Sequence, residues 1–83
     1  MTNEQIEKFL QQKNLNNAPV KVSFKTRKPM VGLFITTADY ADLKSKNFWR
    51  IVAESNLESY KKSKDTALAR IFSGVEITKL SAL

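Results

Sequence analysis

The chain lacks cysteine and histidine altogether, and it has only two glycines and two prolines among its 83 residues. Without cysteine no disulfide can form, and without histidine the usual zinc ligand sets cannot be assembled. A Cys–His or Ser–His catalytic pair is excluded for the same reason. Two isolated glycines do not make a phosphate-binding loop. We therefore expect no metal, no cofactor and no enzymatic activity.

Long apolar segments are also missing. The longest apolar run covers residues 30–35, whereas a membrane-spanning helix needs about 20 apolar residues. The first residues do not show a basic stretch followed by an apolar one, as a secretory signal would. The absence of cysteine fits a reducing compartment. These features predict a cytoplasmic protein without membrane association.

The size of the chain limits how it can be stabilised. Residues 1–83 are enough for a single domain. A domain of this size buries only about 60–65% of the surface that its unfolded chain exposes. Because no disulfide or metal supports such a small core, we expect the protein to form homo-oligomers.

Positive charge is concentrated in two segments. The net charge is +6, from 14 basic and 8 acidic residues. Residues 21–28 carry four basic residues and no acid, and residues 44–64 carry six basic and two acidic residues, so each segment has a net charge of +4. Such a field attracts polyanions. The alternative is a solubilising surface whose lysines protect strand edges.

The hydrophobic pattern predicts one short helix followed by five strands. Thr2 and Gln5 form a capping-box pattern at the start of a helix over residues 3–13. Its apolar face, extended by Leu15, must pack on other elements, because so short a helix is not stable alone. Alternation and apolar runs predict strands at residues 20–25, 30–37, 48–53, 67–72 and 75–80.

Three further features complete the predicted fold. Residues 38–47 are polar and turn-like. Residues 57–66 are predicted to be partly extended and to end in a loop; the alternative is a helical turn capped by Asn56, with Leu57 and Tyr60 on one side. Gly32 interrupts the most apolar strand, where it permits a sharp bend or the close approach of another backbone. One face of this strand should face the interior, and the other should lie under the N-terminal helix or a neighbouring subunit. We therefore predict a mainly β fold, a small closed five-stranded barrel over residues 20–80 with a short N-terminal helix.

The order of these elements resembles the Sm-like (Hfq-like) family of small SH3-like barrels. The resemblance rests on Gly32 in the second strand, the Asp39-Tyr40 pair, the apolar third strand and Ser73-Gly74 before the last strand. It implies RNA binding, and it implies rings in which the fourth strand of one subunit pairs with the fifth of the next. The chain has no histidine, so the Tyr-Lys-His motif of the bacterial members is absent. The resemblance therefore bears on the fold rather than on the nucleotide pocket.

Two kinds of residue are candidates for binding single-stranded RNA or a protein partner. The aromatic residues Trp49, Tyr40 and Tyr60 offer flat surfaces on which a base can stack, and Arg50 adds a cation beside Trp49. The alternative is that Trp49 or its neighbour Phe48 belongs to the core, because the two point to opposite faces of a strand. The predicted phosphate contacts are Arg27, Lys28, Lys61, Lys62 and Lys64, for which solvated loop charge is the alternative.

Two functions are consistent with this pattern. The first is a small basic binding module, an Sm-like homo-oligomer that binds RNA. The second is an SH3-like protein–protein interaction or structural module without a nucleic-acid role. Asp39 and Asp42 are expected to cap backbone N–H groups in a turn rather than to share a cation.

Overall fold

The computed structural model describes residues 1–12 and 18–83, except for the side chain of residue 12. The helices are α1 (Asn3–Gln12), α2 (Tyr40–Ser45) and α3 (Glu54–Ser63). The strands are β1 (Val20–Phe24), β2 (Met30–Phe34), β3 (Phe48–Ala53), β4 (Arg70–Ser73) and β5 (Ile77–Ala82). Short 3-10 turns precede β4 and β5, at Thr66–Leu68 and Gly74–Glu76. Within the described ranges, no helix is both long enough and apolar enough to cross a membrane.

Helix α1 begins with the predicted capping box. The backbone N–H of Thr2 donates to Oε1 of Gln5 at 3.0 Å, and the N–H of Gln5 donates to Oγ1 of Thr2 at 3.2 Å. Ile6 and Leu10 are buried on one face of the helix. The helix therefore docks its apolar stripe on the sheet, which stabilises a segment too short to persist alone. Residue 13 and the predicted contribution of Leu15 lie outside the described residues.

All five strands form one antiparallel sheet in the order β4-β3-β2-β1-β5. The predicted number of strands is confirmed, and the third strand has the predicted bounds. β4 and β5 are the two edges and do not pair with each other in the described part of the chain, so the sheet is open. With its helices the fold is mixed α/β, and the prediction of a mainly β fold is wrong to that extent.

Strand alternation divides the apolar side chains between two cores. The first core contains Phe34, Trp49, Ile51 and their neighbours, and it is covered by Ile6 and Leu10 of α1. The second core lies on the opposite face of the sheet and consists of Leu33, Ile35, Val52 and Leu57. Because Leu57 belongs to α3, the outer face of β2 is covered by α3. The prediction that α1 covers this face is wrong, because α1 packs on the opposite face.

Several segments differ from the prediction. Residues 57–66 are predicted to be partly extended, but Glu54–Ser63 is helical and buries Leu57, which is closer to the helical alternative. The polar segment 38–47 contains α2. The last two strands begin later than predicted, at Arg70 and Ile77, because a 3-10 turn precedes each of them. Tyr40 and Tyr60 therefore lie in helices rather than in loops.

Gly32 allows β3 to approach β2 closely. A Cβ atom at this position would lie 2.5 Å from Cγ2 of Ile51 and 3.2 Å from the carbonyl oxygen of Val52. These distances are shorter than van der Waals contact, so the side chain of Ile51 or the backbone of β3 would have to shift. The sequence predicted the close approach of another backbone at Gly32; the backbone of Val52 does come close, but the side chain of Ile51 comes closer.

The sheet bends so far that strands from its two halves touch. The rings of Phe24 in β1 and Phe72 in β4 have centroids 5.5 Å apart, although two strands separate β1 from β4 in the sheet. The turn Gly74–Glu76 leads from β4 directly into β5, which pairs with β1 through Ile77 and Phe24. This corner therefore brings one edge of the sheet close to the other.

Candidate nucleic-acid interface

The hairpin between β1 and β2 carries the first group of predicted phosphate contacts. Lys25, Arg27 and Lys28 are all exposed. Cζ of Arg27 lies over the rings of both Phe24 and Phe72, 5.5 Å from each centroid. Arg27 is therefore held against the core, while its charge remains accessible to a ligand.

The second predicted group lies at the end of α3. Lys61, Lys62 and Lys64 are exposed, and Lys62 pairs with Glu58 at 3.8 Å. Lys64 ends the helix in a left-handed conformation with φ 56°. Its Nζ lies over the ring of Tyr60 at 5.6 Å from the centroid, and that ring is partly buried against the second core. These cations belong to a different element from the hairpin, so the predicted residues form two groups.

Trp49 lies inside the protein. It is only 1% exposed, and its ring meets Phe34 and Tyr40 edge-on with centroids 6.0 Å away in each case. A base cannot stack on an indole whose faces are buried. Trp49 therefore belongs to the core, which was the alternative to base stacking. Tyr40 is partly buried beside it, and this burial raises the pKa of the Tyr40 phenol.

Arg50 forms an ion pair instead of facing solvent freely. Its Nη2 donates to Oδ2 of Asp39 at 2.8 Å and its Nε donates to Oδ1 at 3.3 Å. The hydroxyl of Thr37 also donates to Oδ1 of Asp39. The hydrogen bond from Arg50, followed by that from Thr37, lowers the pKa of Asp39 from 3.8 to about 2. Asp39 makes no side-chain hydrogen bond to the start of α2, so its predicted capping role is wrong.

Asn47 connects three parts of the chain, and its role was not predicted. Its Oδ1 accepts from Nε1 of Trp49 at 2.8 Å, and its Nδ2 donates to the carbonyl of Met1 at 3.0 Å. Its own carbonyl accepts from the N–H of Gly74 at 2.8 Å. The backbone at Asn47 is left-handed with φ 61°, a conformation that asparagine tolerates better than most residues.

A cleft lies beside Asn47, and the sequence did not predict it. It has a volume of about 500 Å³ and lies between the start of α1, the end of α2 and the turn after β4. The residues that give it chemical character are Asn3, Gln5, Lys25, Lys46 and Val75. Lys25 and Lys46 are far apart in the chain, and only the tertiary fold brings them to one cleft. No sequence motif could have indicated that Lys25 and Lys46 line the same cleft.

Near the cleft, the cations at the end of α2 are paired and those of the β1–β2 hairpin are not paired with any described residue. Lys44 pairs with Glu7 at 3.2 Å, and Lys46 pairs with Asp42 at 3.6 Å on the surface. The cations that form no ion pair with another described residue are Lys8, Lys21, Lys25, Arg27, Lys28, Lys61, Lys64, Arg70 and Lys79. The hairpin residues are therefore free to pair with an anionic ligand.

No metal site accompanies these cations in residues 1–12 and 18–83, where no three His, Cys, Asp or Glu side chains cluster as ligands. Comparison with models of known families, with curated proteins and with solved structures finds no match.

Proposed function

We propose that this chain is a small basic binding module, Sm-like in fold and not an enzyme, which forms homo-oligomers and binds single-stranded RNA. The observation that carries the proposal is the cleft of about 500 Å³ that Lys25 and Lys46 line together. Arg27 and Lys28 extend its positive charge along the same hairpin. A phosphate backbone bound there would release counterions, which is the main source of affinity for nucleic acids.

The cleft also offers groups that suit a base. Gln5 uses Oε1 to accept from Thr2, which leaves its NH₂ group as a donor. Asn3 uses Nδ2 to donate to the carbonyl of Lys44 at 3.2 Å, which leaves its Oδ1 as an acceptor. A donor and an acceptor beside the apolar side chain of Val75 match the polar edge and the flat face of an unpaired base.

The closed barrel and the oligomer belong to the same proposal. The strand order places β4 and β5 at the edges, where backbone N–H and C=O groups remain open to pairing. Ile71 on β4 is 49% exposed. We propose that a second copy covers this edge, with β4 of one subunit beside β5 of the next. The contact between Phe24 and Phe72 supports closure of each subunit into a barrel.

A different feature favours the alternative, a module that binds a protein partner. Phe48 is 38% exposed and Ile71 is 49% exposed. Ile71 pairs with Arg50, and Arg50 is two residues along β3 from Phe48, so Ile71 and Phe48 lie on the same face of the sheet. Such an apolar patch fits a protein surface. Light scattering separates the two functions, because the RNA-binding proposal predicts a ring of six or seven subunits. A monomer whose partner binding persists at high salt would favour the alternative.

The cleft is tested by comparing two double variants for binding to a fluorescent single-stranded RNA. Lys25→Ala with Lys46→Ala removes two charges from the cleft, and Lys21→Ala with Lys79→Ala removes two exposed charges from β1 and β5. Lys21 faces Ser81 and Lys79 faces Ser23 in the sheet, and none of these lines the cleft. We expect about tenfold weaker binding at low salt for the cleft variant and less than about threefold for the control. Equal losses would contradict the assignment of the cleft.

A further inference from the structure

The guanidinium of Arg27 lies in a notch between two aromatic rings. Its Cζ is 5.5 Å from the centroid of Phe24 and 5.5 Å from that of Phe72. The two centroids are themselves 5.5 Å apart, with the rings tilted by 36°. The cation and the rings thus form a nearly equilateral triangle, and both rings attract the same charge.

This notch is rigid because its walls belong to the first core. Phe24 is buried there and Phe72 packs against it. The N–H of Lys25 donates to the carbonyl of Glu76 at 2.9 Å, which fixes the base of the hairpin to the turn before β5. The hairpin is therefore anchored at Lys25, two residues before Arg27, and the guanidinium of Arg27 packs against the two rings. A side chain restrained before binding loses less conformational entropy when a ligand arrives.

The hydrogen-bonding edge of Arg27 is open. A guanidinium has five N–H donors, and in the described residues Arg27 pairs with no carboxylate. Arg50 differs, because its fork is occupied by Asp39. An arginine held in place without a counter-ion matches the two oxygens of a phosphate, which it can bind through two parallel hydrogen bonds. Lysine cannot reproduce that geometry.

We propose that Arg27 is a pre-positioned phosphate clamp, which holds one internucleotide phosphate of single-stranded RNA through two hydrogen bonds. Phe24 and Phe72 are its positioning residues. This inference rests on the proposed function and identifies the chemical group that the hairpin recognises. The neighbouring Lys28 is exposed and acts only through its charge.

The clamp is tested by measuring RNA affinity as a function of salt for single variants. Arg27→Lys keeps the charge but loses the fork and the stack, and binding weakens about tenfold with an unchanged salt slope. Phe72→Leu keeps Arg27 but removes one wall, and binding weakens about threefold, again with an unchanged slope. The matched control Lys28→Ala weakens binding only about twofold and reduces the slope by about 0.7.

A second ligand distinguishes phosphate from base. Arg27→Lys should also bind an abasic ribose-phosphate oligomer about tenfold more weakly than the unchanged chain does. If this loss of affinity disappears without the bases, Arg27 stacks on a base, and the clamp is overturned. Equal affinities of Arg27→Lys and the unchanged chain for RNA would also overturn the clamp but leave the proposed function standing. Failure of the unchanged chain to bind RNA would overturn both. Because Arg27 is exposed, Arg27→Lys tests the clamp even where Phe72→Leu fails to fold.

Discussion

Gly32→Ala places a methyl group on Gly32 and should destabilise the fold. The size of the effect can be worked out from the atoms that surround this position. The new Cβ would lie 2.5 Å from Cγ2 of Ile51, 3.1 Å from Cε of Met30 and 3.2 Å from the carbonyl of Val52. Overpacking of this kind costs about 1–3 kcal/mol. Loss of the glycine's freedom in the unfolded chain offsets about 0.4–1 kcal/mol. We expect Gly32→Ala to lower the free energy of unfolding by about 1–2 kcal/mol, and Gly32→Val to lower it further.

Urea unfolding followed by circular dichroism measures this change, against a total stability of about 4–12 kcal/mol for a domain of this length. The matched background is Ile51→Leu, which moves the branching methyl away from Cβ and keeps the side-chain volume. Gly32→Ala should cost less in that background, because the closest clash is removed. An equal cost in both backgrounds, or a Gly32→Ala variant as stable as the unchanged chain, would refute the packing argument.

Two further predictions concern the polar contacts around Trp49 and Arg50. Asn47→Gly keeps the left-handed backbone but leaves the buried Nε1 of Trp49 unpaired, so the free energy of unfolding in urea should fall by about 1–3 kcal/mol. Asn47→Ala should cost about 1 kcal/mol more, because alanine disfavours the left-handed conformation. Equal costs for the two variants would contradict a contribution of the backbone conformation at Asn47. Because the folded pKa of Asp39 is about 2, below its unfolded value, the Asp39–Arg50 pair stabilises the fold above about pH 4 and is lost as the pH falls toward 2. The stability difference between the unchanged chain and Asp39→Asn should shrink over that range, and a constant difference would contradict the ion pair.

The sequence predicted the sheet better than the helices, for a physical reason. Strand β3 has apolar residues on both faces, so its bounds could be predicted; Trp49 and Ile51 are buried on one face and Val52 on the other. Helix α3 carries a single buried residue, Leu57, so its periodicity is too weak to outweigh its polar composition. Charge does indicate its ends, since Glu54 lies in the first turn and Lys61 and Lys62 lie in the last.

The candidate site was predictable only where its residues are adjacent in sequence. Arg27 and Lys28 lie together in one hairpin, and they are exposed as predicted. Period-two alternation could not decide which of Phe48 and Trp49 is buried, because both are large and apolar. The way the sheet bends decides that Lys25 and Lys46 line the same cleft and that Phe24 and Phe72 form a notch. Gly32 allowed a bend to be predicted, but the sequence did not indicate which side chains the bend brings together.

The central proposal is that the cleft and the unpaired cations of the β1–β2 hairpin bind single-stranded RNA. The affinity of the unchanged chain for a single-stranded oligonucleotide, measured by fluorescence anisotropy from about 50 to 200 mM salt, tests it most directly. We expect the logarithm of the affinity to fall linearly with the logarithm of salt, with a slope of about −0.7 for each phosphate contacted. No binding at the lowest salt concentration, or binding that salt does not change, would contradict the proposal.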